Sequence, residues 1–466
     1  MASCQKVIIL GLGTSGEAAA KLLLAEGASV YVIDSADNVI LRRRAAVLSK
    51  AGASVMLGQS AVPLEDFSVC IISPGIPLTS SWVITLQERG VPILSELELG
   101  WQRAQCPVLA VTGSNGKSTF AKLIAESLAE AGLKVAIAGN YEFNSEGKGN
   151  STLDTFSSVV SGPVSLVIRE HKNLDWLVLE VSSFQLETLR EFRPNVGVLL
   201  NIYPNHLNRH GDYTTYKQLK AKFFSQMTHD DIAIVSEELL PDMILNTHLK
   251  SNWLTFGKSV KSTFRYHKDC ISSSCNSCYI SLAGTMFDNN FLGMAPAAAA
   301  AAMSACNAPF KALSKVIHSF HPLPHRMQEL GTKGGIRFIN DSKATNIAAL
   351  IAALDGLTHP VHLIAGGLPK NESYMPVKPL LKEKVVRVYL IGEAAPCMAN
   401  AWADTVPCHL SLNLKNAVQT AWQSAKLSEI ILFSPGCASF DQFHNFQERG
   451  NQFISYVKVL KDKKHA

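Results

Sequence analysis

The chain has 466 residues, of which 47% are hydrophobic and 17% are charged, so it is long enough for about three domains that each bury a core. This composition excludes a disordered protein, and the basic residues behind the formal net charge of +5 are scattered rather than gathered in a nucleic-acid-binding patch. The amino-terminal segment lacks the features of a signal peptide, and no apolar stretch approaches the roughly 20 residues that span a bilayer. We therefore expect a cytoplasmic protein that binds neither nucleic acid nor a membrane.

The first part of the chain alternates short apolar strands with helical segments. Strands are predicted at 7–10, 30–33 and 69–72, and the segment ends near Glu98. Such an alternation predicts a parallel sheet that is covered by helices.

A second unit of the same kind begins with a predicted strand at 108–111. It continues through strands at 176–179 and 196–200 and closes with an alanine-rich helix around 295–306. The polar stretch at 141–172 is rich in serine and contains glycines, which predicts a long loop or an insertion.

Two X-Pro bonds, at Pro322 and Pro324, indicate a stiff boundary before a third unit. Strands are predicted in this unit at 337–339, 361–364, 386–391 and 430–433. The whole pattern predicts an α/β protein with three domains. We expect the domains to span residues 1–96, 97–321 and 322–466.

A glycine-rich turn, Gly11-Leu-Gly-Thr-Ser-Gly16, follows the first predicted strand, and Asp34 ends the next one. This arrangement matches the dinucleotide-binding fingerprint, in which glycines form a tight turn, a helix N-terminus faces phosphate and an acid binds ribose. Taken alone it would indicate a dehydrogenase. Other nucleotides and sugar nucleotides use the same turn, and a glycine-rich turn without a ligand is a third interpretation.

A second glycine-rich loop, Thr112-Gly-Ser-Asn-Gly-Lys-Ser-Thr119, lies between a predicted strand and a predicted helix. Its backbone N–H groups can wrap phosphate oxygens, Lys117 can reach the β and γ phosphates, and the Ser118 hydroxyl can hold Mg²⁺. Val111 stands where the usual P-loop has its first glycine. The context of strand, loop and helix still predicts a phosphate-binding loop.

Two further residues lie at or just past the ends of predicted strands. Glu180 ends the strand at 176–179, and a carboxylate at this edge of a parallel sheet points into the crevice where ligands bind. We interpret it as a Mg²⁺ ligand, with a surface glutamate as the alternative. His206 follows the strand at 196–200, where a histidine that only supports the structure is also common.

Lys220 lies on an apolar stripe of a predicted helix from about 214 to 227, together with Tyr216, Phe223 and Met227. A lysine in this position either extends its ammonium group to water or is buried in its neutral form. A neutral amine can react with CO₂ to give a carbamate, which is a new anionic ligand.

Cys270, Cys275 and Cys278 cluster in a serine-rich stretch near His267. A zinc site would need a fourth ligand, and usually a second pair of ligands as well. We interpret the stretch as a surface loop with incidental thiols, which are reduced in the cytoplasm.

Together these residues resemble the Mur ligase family, and the resemblance runs from Gly11 to the segment near Phe453. The motifs that carry it are Thr112-Gly-Ser-Asn-Gly-Lys-Ser118, Glu180-Val-Ser-Ser-Phe-Gln-Leu186, Asn205-His-Leu-Asn-Arg209, Tyr216-Lys-Gln-Leu-Lys220, His325-Arg326, Asn340-Asp-Ser-Lys-Ala-Thr-Asn346 and Ser434-Pro-Gly-Cys-Ala-Ser439. The strings at 182–185 and 340–346 are typical of the branch that adds D-glutamate.

The resemblance implies an ATP-dependent ligase of peptidoglycan precursor synthesis that joins D-glutamate to UDP-N-acetylmuramoyl-L-alanine through an acyl phosphate. It implies two Mg²⁺ sites and a carbamylated Lys220. It also implies a Rossmann-like N-terminal domain that binds the UDP substrate, a central P-loop ATPase domain and a Rossmann-like C-terminal domain that binds the amino acid. We expect the enzyme to act as a monomer.

The resemblance assigns roles to individual residues. The implied catalytic residues are Lys117, Glu180, His206, Lys220 and Lys343. The implied ATP-binding residues are Gly113, Ser114, Asn115, Gly116, Lys117, Ser118, Thr119, Arg326 and Asp341. The implied metal ligands are Ser118 and Glu180 for one Mg²⁺ and His206 and the modified Lys220 for the other. The implied substrate-binding residues are Thr14, Ser15, Asp34 and Ser35 for UDP, Thr345, Lys370, Ser439 and Phe446 for D-glutamate, and Asn140.

The sequence also departs from the family pattern. Unusual residues stand at 141–143, at Asn205 and Asn208, at Ala295-Pro296 and at Pro369. Four alternatives therefore stay open: another Mur-type ligase, a folylpolyglutamate synthase, a nicotinamide dehydrogenase and a divergent paralogue that binds a UDP-sugar without catalysis. A folylpolyglutamate synthase would not explain the turn at Gly11 or the string at 340–346.

Overall fold

The computed structural model describes residues 5–141, 160–247, 252–267, 269–274, 278–288, 292–370 and 372–460. Within these residues the strands form three separate sheets that follow one another along the chain. Helices connect most of the strands, as expected for α/β units.

The first sheet has the strand order β3-β2-β1-β4-β5, and all its pairs are parallel. Its strands are β1 (Lys6–Leu10), β2 (Ser29–Ile33), β3 (Ser54–Met56), β4 (Val69–Ile72) and β5 (Ile93–Ser95). The helices of this part are α1 (Thr14–Ala25), α2 (Val39–Lys50), α3 (Ser81–Glu88) and α4 (Glu96–Trp101). The central strand β1 is apolar because buried residues pack on both of its faces, as is usual in parallel sheets.

The second sheet has the order β15-β14-β13-β12-β11-β10-β6-β9-β7-β8, and among its described strands only the two pairs at the β15 edge, β13·β14 and β14·β15, are antiparallel. Its strands are β6 (Val108–Thr112), β7 (Val135–Gly139), β8 (Val160–Gly162), β9 (Trp176–Glu180), β10 (Val196–Leu199), β11 (Ile232–Ser236), β12 (Asn252–Gly257), β13 (Phe264–His267), β14 (Cys270–Ser273) and β15 (Tyr279–Ser281). Its helices are α5 (Lys117–Glu130), α6 (Val164–Glu170), α7 (Ser183–Leu186), α8 (Leu207–His210), α9 (Tyr213–Lys222), α10 (Leu240–Thr247), α11 (Met294–Ala305) and α12 (Phe310–Ser319).

The third sheet has the order β16-β17-β21-β18-β19-β20, with only the edge pair β16·β17 antiparallel. Its strands are β16 (Gln328–Lys333), β17 (Ile336–Asn340), β18 (Val361–Gly366), β19 (Val385–Ile391), β20 (Cys408–Leu410) and β21 (Ile430–Gly436). Its helices are α13 (Ile347–Asp355), α14 (Lys378–Lys384), α15 (Ala395–Trp402), α16 (Leu414–Ser424) and α17 (Phe446–Lys458).

The strands that we predicted are confirmed with small shifts at their ends, whereas two other predictions are wrong. The segment 160–170 is not a loop, because it contains β8 and α6, and α6 packs against α1 and α4. The rest of that predicted loop, 142–159, including Glu142 and Phe143, lies outside the described residues. The helix predicted from 214 to 227 ends at Lys222, because the following residues turn inward to pack on Gly197 of β10.

No helix in the described part of the chain is both long and apolar enough to cross a bilayer. The longest strongly apolar helix, α11, is buried against α5 and α12 instead.

Candidate active site between the second and third sheets

The loop between β6 and α5 is held in a fixed shape by its neighbours. Gly113 and Gly116 have φ values of +151° and +83°, which side chains rarely adopt. Asn201, two residues after the end of β10, accepts the Asn115 backbone N–H at 2.9 Å through its side chain, and its own amide donates to the Asn115 carbonyl at 3.2 Å. The loop is thus an open turn at the N-terminus of α5, the geometry that favours phosphate.

Two lysines meet at the carbonyl of Gly113. The Lys117 ammonium donates to it at 2.9 Å, and the Lys220 ammonium lies 3.3 Å from the same oxygen. Lys220 is 1% exposed and also donates to the Thr112 hydroxyl at 2.8 Å. Burial, and then the charge of Lys117, holds the pKa of Lys220 well below its usual value. Burial also lowers the pKa of Lys117.

Glu180 lies at the end of β9, beside this pair of lysines. One carboxylate oxygen accepts the Asn140 amide at 3.2 Å, while the other is buried and has no hydrogen-bond partner among the described residues. Its charge acts on both lysines, since it raises the pKa of each against the effect of burial. A buried carboxylate oxygen without a donor is a position that a cation would satisfy.

His206 follows β10 in a left-handed conformation, with φ of 56°. Burial, and then the charge of Lys370 and Lys117, lowers the pKa of its imidazole to about 3. The ring is therefore neutral at pH 7, the form that can ligate a metal. Its neighbour Asn205 is also buried, and the Asn205 side-chain oxygen has no partner among the described residues.

The segment after β9 supports His206. Ser182 and Gln185 form a capping box that starts the short helix α7, which presents the Phe184 ring. The ring packs edge-on against His206 with centroids 4.8 Å apart, and the Arg209 guanidinium lies 5.2 Å from its centre. Arg209 also donates to the carbonyl of Ile76 at 3.2 Å, and this hydrogen bond connects α8 to the segment that follows β4 of the first sheet.

Residues that flank the first two strands of the third sheet, β16 and β17, reach into the same crevice. Arg326 donates to the Ser118 hydroxyl at 2.6 Å and is close enough to Lys117 to lower its pKa. Asp341 accepts the Met327 N–H at 3.1 Å and the Ser434 hydroxyl at 2.9 Å, so it fixes the backbone next to Arg326. Burial raises the pKa of Asp341 to about 7.

Three of the four residues predicted to bind D-glutamate, Thr345, Lys370 and Ser439, lie on loops that follow strands of the third sheet, and Phe446 begins α17. Leu368 and Ala438 form an isolated bridge, which brings the loop of Lys370 beside that of Ser439. The Lys343 ammonium lies 3.8 Å from the centre of the Phe446 ring. Thr345 is half-buried on the segment before α13.

The residues predicted to bind UDP lie apart from this crevice, at the turn of the first sheet. Asp34 accepts the Leu12 N–H at 2.8 Å and the Ala36 N–H at 2.9 Å, so its carboxylate shapes the turn. Gly16 is required there, because a Cβ would lie 1.9 Å from the Gly11 carbonyl oxygen. Thr14 begins α1, and Ser15 and Ser35 lie nearby.

Two of the cysteines that we predicted to lie in a surface loop do not lie in one, because Cys270 belongs to the antiparallel strand β14 and Cys278, directly before β15, is buried. Cys270 donates to the His267 carbonyl at 3.2 Å, Cys278 is buried in the core, and Cys275 lies outside the described residues. In the ranges given above, no group of three or more His, Cys, Asp or Glu side chains is arranged to hold a metal.

Sequence reasoning missed Arg449, which is 1% exposed inside α17. Its guanidinium donates to the Ser342 carbonyl at 2.7 Å and to the carbonyls of Cys437 and Ala438 at 3.1 Å each. It therefore ties together two loops of the predicted amino-acid site. In the sequence it resembles any charged residue of an amphipathic helix. Asn201 was missed too, although its position just after a strand is a signal that could have identified it.

Comparisons with known proteins agree with this layout. The N-terminal domain described as Mur ligase MurD-like matches residues 5–95, the Mur ligase middle domain matches 111–302, and the Mur ligase glutamate ligase domain matches 325–437. The chain is 33% identical to the UDP-N-acetylmuramoylalanine--D-glutamate ligase of Koribacter versatilis, with 98% of each chain covered. It is 34% identical to the enzyme of the same name from Geobacillus sp., again with 98% of both chains covered.

The fold agrees as well. The MurF ligase of Thermotoga maritima, solved in complex with ADP, matches with a TM-score of 0.61 at 16% identity and covers 92% of this chain and 95% of its own. The end-to-end similarity to the two curated relatives is well above the level at which homologous proteins share a fold and an ancestry. This chain belongs to the Mur ligase family.

Proposed function

We propose that this Mur ligase uses ATP to join D-glutamate to UDP-N-acetylmuramoyl-L-alanine. The observation that carries the proposal is the convergence of Lys117 and Lys220 on the Gly113 carbonyl, beside the unpaired oxygen of Glu180. Phosphoryl transfer needs concentrated positive charge and alignment more than covalent help. A nicotinamide dehydrogenase transfers a hydride, and that reaction does not require two buried lysines beside a carboxylate.

The curated relatives support D-glutamate as the amino acid, because they carry that activity in their name over the whole length of the chain. This disfavours another Mur-type ligase, a folylpolyglutamate synthase and a UDP-sugar-binding paralogue without catalysis. The intact lysine and glutamate cluster also argues against a paralogue that has lost its chemistry.

We assign the three sheets to three domains with boundaries at 1–96, 97–321 and 322–466. The parallel order of the first sheet and its turn at Gly11 suit a Rossmann-like domain, in which Thr14, Ser15, Asp34 and Ser35 bind UDP. We propose that the enzyme acts as a monomer.

We assign the loop 113–119 to the phosphates of ATP, as a P-loop in which the left-handed Gly116 opens α5. The solved MurF complex with ADP supports a nucleotide at this fold. Lys117 then neutralises charge on the β and γ phosphates. Arg326 and Asp341 act from the third sheet, where Asp341 orients the segment that carries Arg326.

The residues present also suit Mg²⁺. Hydroxyl and carboxylate oxygens are its usual protein ligands, and here Ser118 lies in the first turn of α5, directly after the loop that follows β6, while the unpaired Glu180 oxygen lies at the end of the neighbouring strand β9. The neutral imidazole of His206 suits a second ion. Bound Mg²⁺ would neutralise charge on the phosphates during transfer.

Lys220 suits carbamylation because burial favours its neutral amine. The nitrogen of the neutral amine would bond to the carbon of CO₂ and lose one proton, so a neutral buried group becomes an anion. The ammonium of Lys117 next to it would stabilise that anion, and the carbamate would serve as the metal ligand that the family resemblance implies.

The reaction then proceeds in two steps. A carboxylate oxygen of UDP-N-acetylmuramoyl-L-alanine bonds to the γ phosphorus while the bond to ADP breaks. The amine of D-glutamate next attacks the acyl carbon, phosphate leaves with that oxygen, and the amine loses a proton. Thr345, Lys370, Ser439 and Phe446 hold D-glutamate for this attack, Asn140 orients Glu180 next to the reacting carboxylate, and Lys343 stabilises the developing negative charge.

The proposal is tested by ADP release with UDP-N-acetylmuramoyl-L-alanine and a panel of amino acids, with the product identified by mass. We expect robust turnover with D-glutamate only. Equal turnover with L-lysine or diaminopimelate would overturn the substrate assignment, and no ADP release with any amino acid would overturn the ligase itself. Lys117→Met, which keeps most of the length of the side chain without its charge, should abolish ADP release.

A further inference from the structure

The phosphate loop and the third sheet are joined by a pair of amides. The Asn346 amide nitrogen donates to the Asn115 side-chain oxygen at 3.1 Å, and the Asn115 amide nitrogen lies 3.4 Å from the Asn346 oxygen. The two residues are 231 positions apart in the chain. Asn115 belongs to the loop that we assign to ATP, and Asn346 directly follows Thr345 of the proposed amino-acid site.

Asn346 also organises the start of α13. Its side-chain oxygen caps the helix by accepting the Ala349 N–H at 2.8 Å, and the side chain is almost fully buried. The next backbone N–H, of Ile347, donates to the Glu372 carboxylate at 3.0 Å. The charge of Glu372 in turn acts on Lys370, a proposed ligand of D-glutamate. A continuous series of contacts therefore runs from the phosphate loop to the amino-acid site.

We propose that Asn346 is a positioning residue that couples the two substrate sites through its amide pair with Asn115. ATP holds the loop that carries Asn115, and D-glutamate holds the segments around Thr345 and Lys370. When one ligand is bound, one half of the pair is already fixed, so the second ligand loses less conformational freedom on binding. The inference rests on the proposed function, because it takes its two ligands from there.

Coupling of this kind is reciprocal, since each ligand must raise the affinity of the other by the same factor. One neutral amide pair supports a factor of about tenfold, which lies in the usual range for coupled sites. The test measures the dissociation constant of a non-hydrolysable ATP analogue with Mg²⁺ by calorimetry, with and without saturating D-glutamate, in the presence of UDP-N-acetylmuramoyl-L-alanine.

Two variants remove the pair and leave its surroundings in place. Asn346→Ser keeps a side-chain oxygen that caps α13, because serine is as good a cap as asparagine, but it is too short to reach Asn115. Asn115→Ala removes the other partner, while its backbone keeps both hydrogen bonds to Asn201. We expect D-glutamate to strengthen analogue binding about tenfold in the wild type and less than about twofold in each variant and in the double variant.

A matched control is available in the same part of the chain. Asn413 caps α16 by accepting the Asn416 N–H at 3.0 Å, the same chemistry away from the crevice. Asn413→Ala should lower the urea midpoint of unfolding and leave the tenfold ratio unchanged. Loss of the ratio in Asn413→Ala would show that it depends on general stability.

Two other results would overturn the inference. One is a wild-type enzyme in which D-glutamate does not change the affinity for the ATP analogue. The other is that both single variants and the double variant retain the tenfold effect of D-glutamate. Both differ from failure of the proposed function, which would appear as absent turnover with D-glutamate.

Discussion

Replacing Arg449 with methionine should loosen the two loops that we assign to D-glutamate binding. The guanidinium is buried in α17 and donates to Ser342, Cys437 and Ala438. Methionine keeps an unbranched apolar stem of similar length but has no donor. The change therefore removes the hydrogen bonds and preserves most of the packing.

The magnitude follows from two opposing effects. Three buried carbonyl groups lose a donor, at about 1–3 kcal/mol each. Against this, the folded chain no longer has to bury a charge. Burial lowers the pKa of Arg449 from its ordinary 12.5 to about 10, which corresponds to roughly 3 kcal/mol that the variant regains. The Ala438 carbonyl also keeps the Leu368 N–H at 2.9 Å. We expect a net loss of about 2 kcal/mol in the free energy of unfolding.

The effect on catalysis should be selective. Ser342 and Ala438 flank the segments that carry Thr345 and Ser439, so the KM for D-glutamate should rise about tenfold, which is the effect of roughly 1.4 kcal/mol. The KM for ATP should change much less. Urea unfolding and steady-state kinetics with each substrate varied in turn measure both effects. Lys315→Met is the control, because its ion pair with Glu130 lies on an exposed surface of the second sheet. An Arg449→Met enzyme with the stability and D-glutamate KM of the control would refute this reasoning.

Three further changes test other parts of the site. Lys220→Ala should abolish activity, and excess bicarbonate with a short-chain acid should partly restore it; wild-type rates without rescue would exclude the carbamate. Burial raises the pKa of Glu96 from 4.5 to about 7, so the folded chain keeps a proton that the unfolded chain loses between these values, and stability falls as pH rises through that window. In Glu96→Gln, the decrease of the free energy of unfolding between pH 5 and 8 should be smaller by on the order of 3 kcal/mol, as measured by urea midpoints. If the free energy of unfolding of the variant decreased with pH as steeply as that of the wild type, the raised pKa of Glu96 would be contradicted. Gly139→Ala should reduce activity more than tenfold, because its Cβ would lie 2.4 Å from the Glu180 carbonyl, whereas Gly132→Ala, with a similar φ and open space, should retain activity.

The sequence predicted the parts of the site that are local in the chain. The loop at 113–119 and Glu180 could be assigned to the candidate site because the loop follows, and Glu180 ends, an apolar strand of a parallel sheet, where ligands bind. Val111 stands where the usual P-loop has its first glycine, but it did not prevent the prediction of a phosphate-binding loop. It is a buried residue of β6 and pairs with Glu180 of β9.

The parts that the sequence did not predict depend on contacts between distant segments. α9 ends at Lys222, although the apolar stripe continues, because Phe223 and Met227 pack on Gly197. Arg449 follows the pattern of an exposed helix face and is nevertheless buried, and its partner Ser342 is 107 residues away. Periodicity describes one element at a time, so it could not indicate either contact.

Isotope transfer tests the proposed chemistry most directly. UDP-N-acetylmuramoyl-L-alanine labelled with ¹⁸O in its carboxylate is incubated with ATP and D-glutamate, and the inorganic phosphate is analysed by mass. If the carboxylate oxygen bonds to the γ phosphorus before the amine attacks, each molecule of phosphate formed carries one ¹⁸O atom. Phosphate without the label, released at the same rate as the amide product, would contradict the acyl-phosphate route.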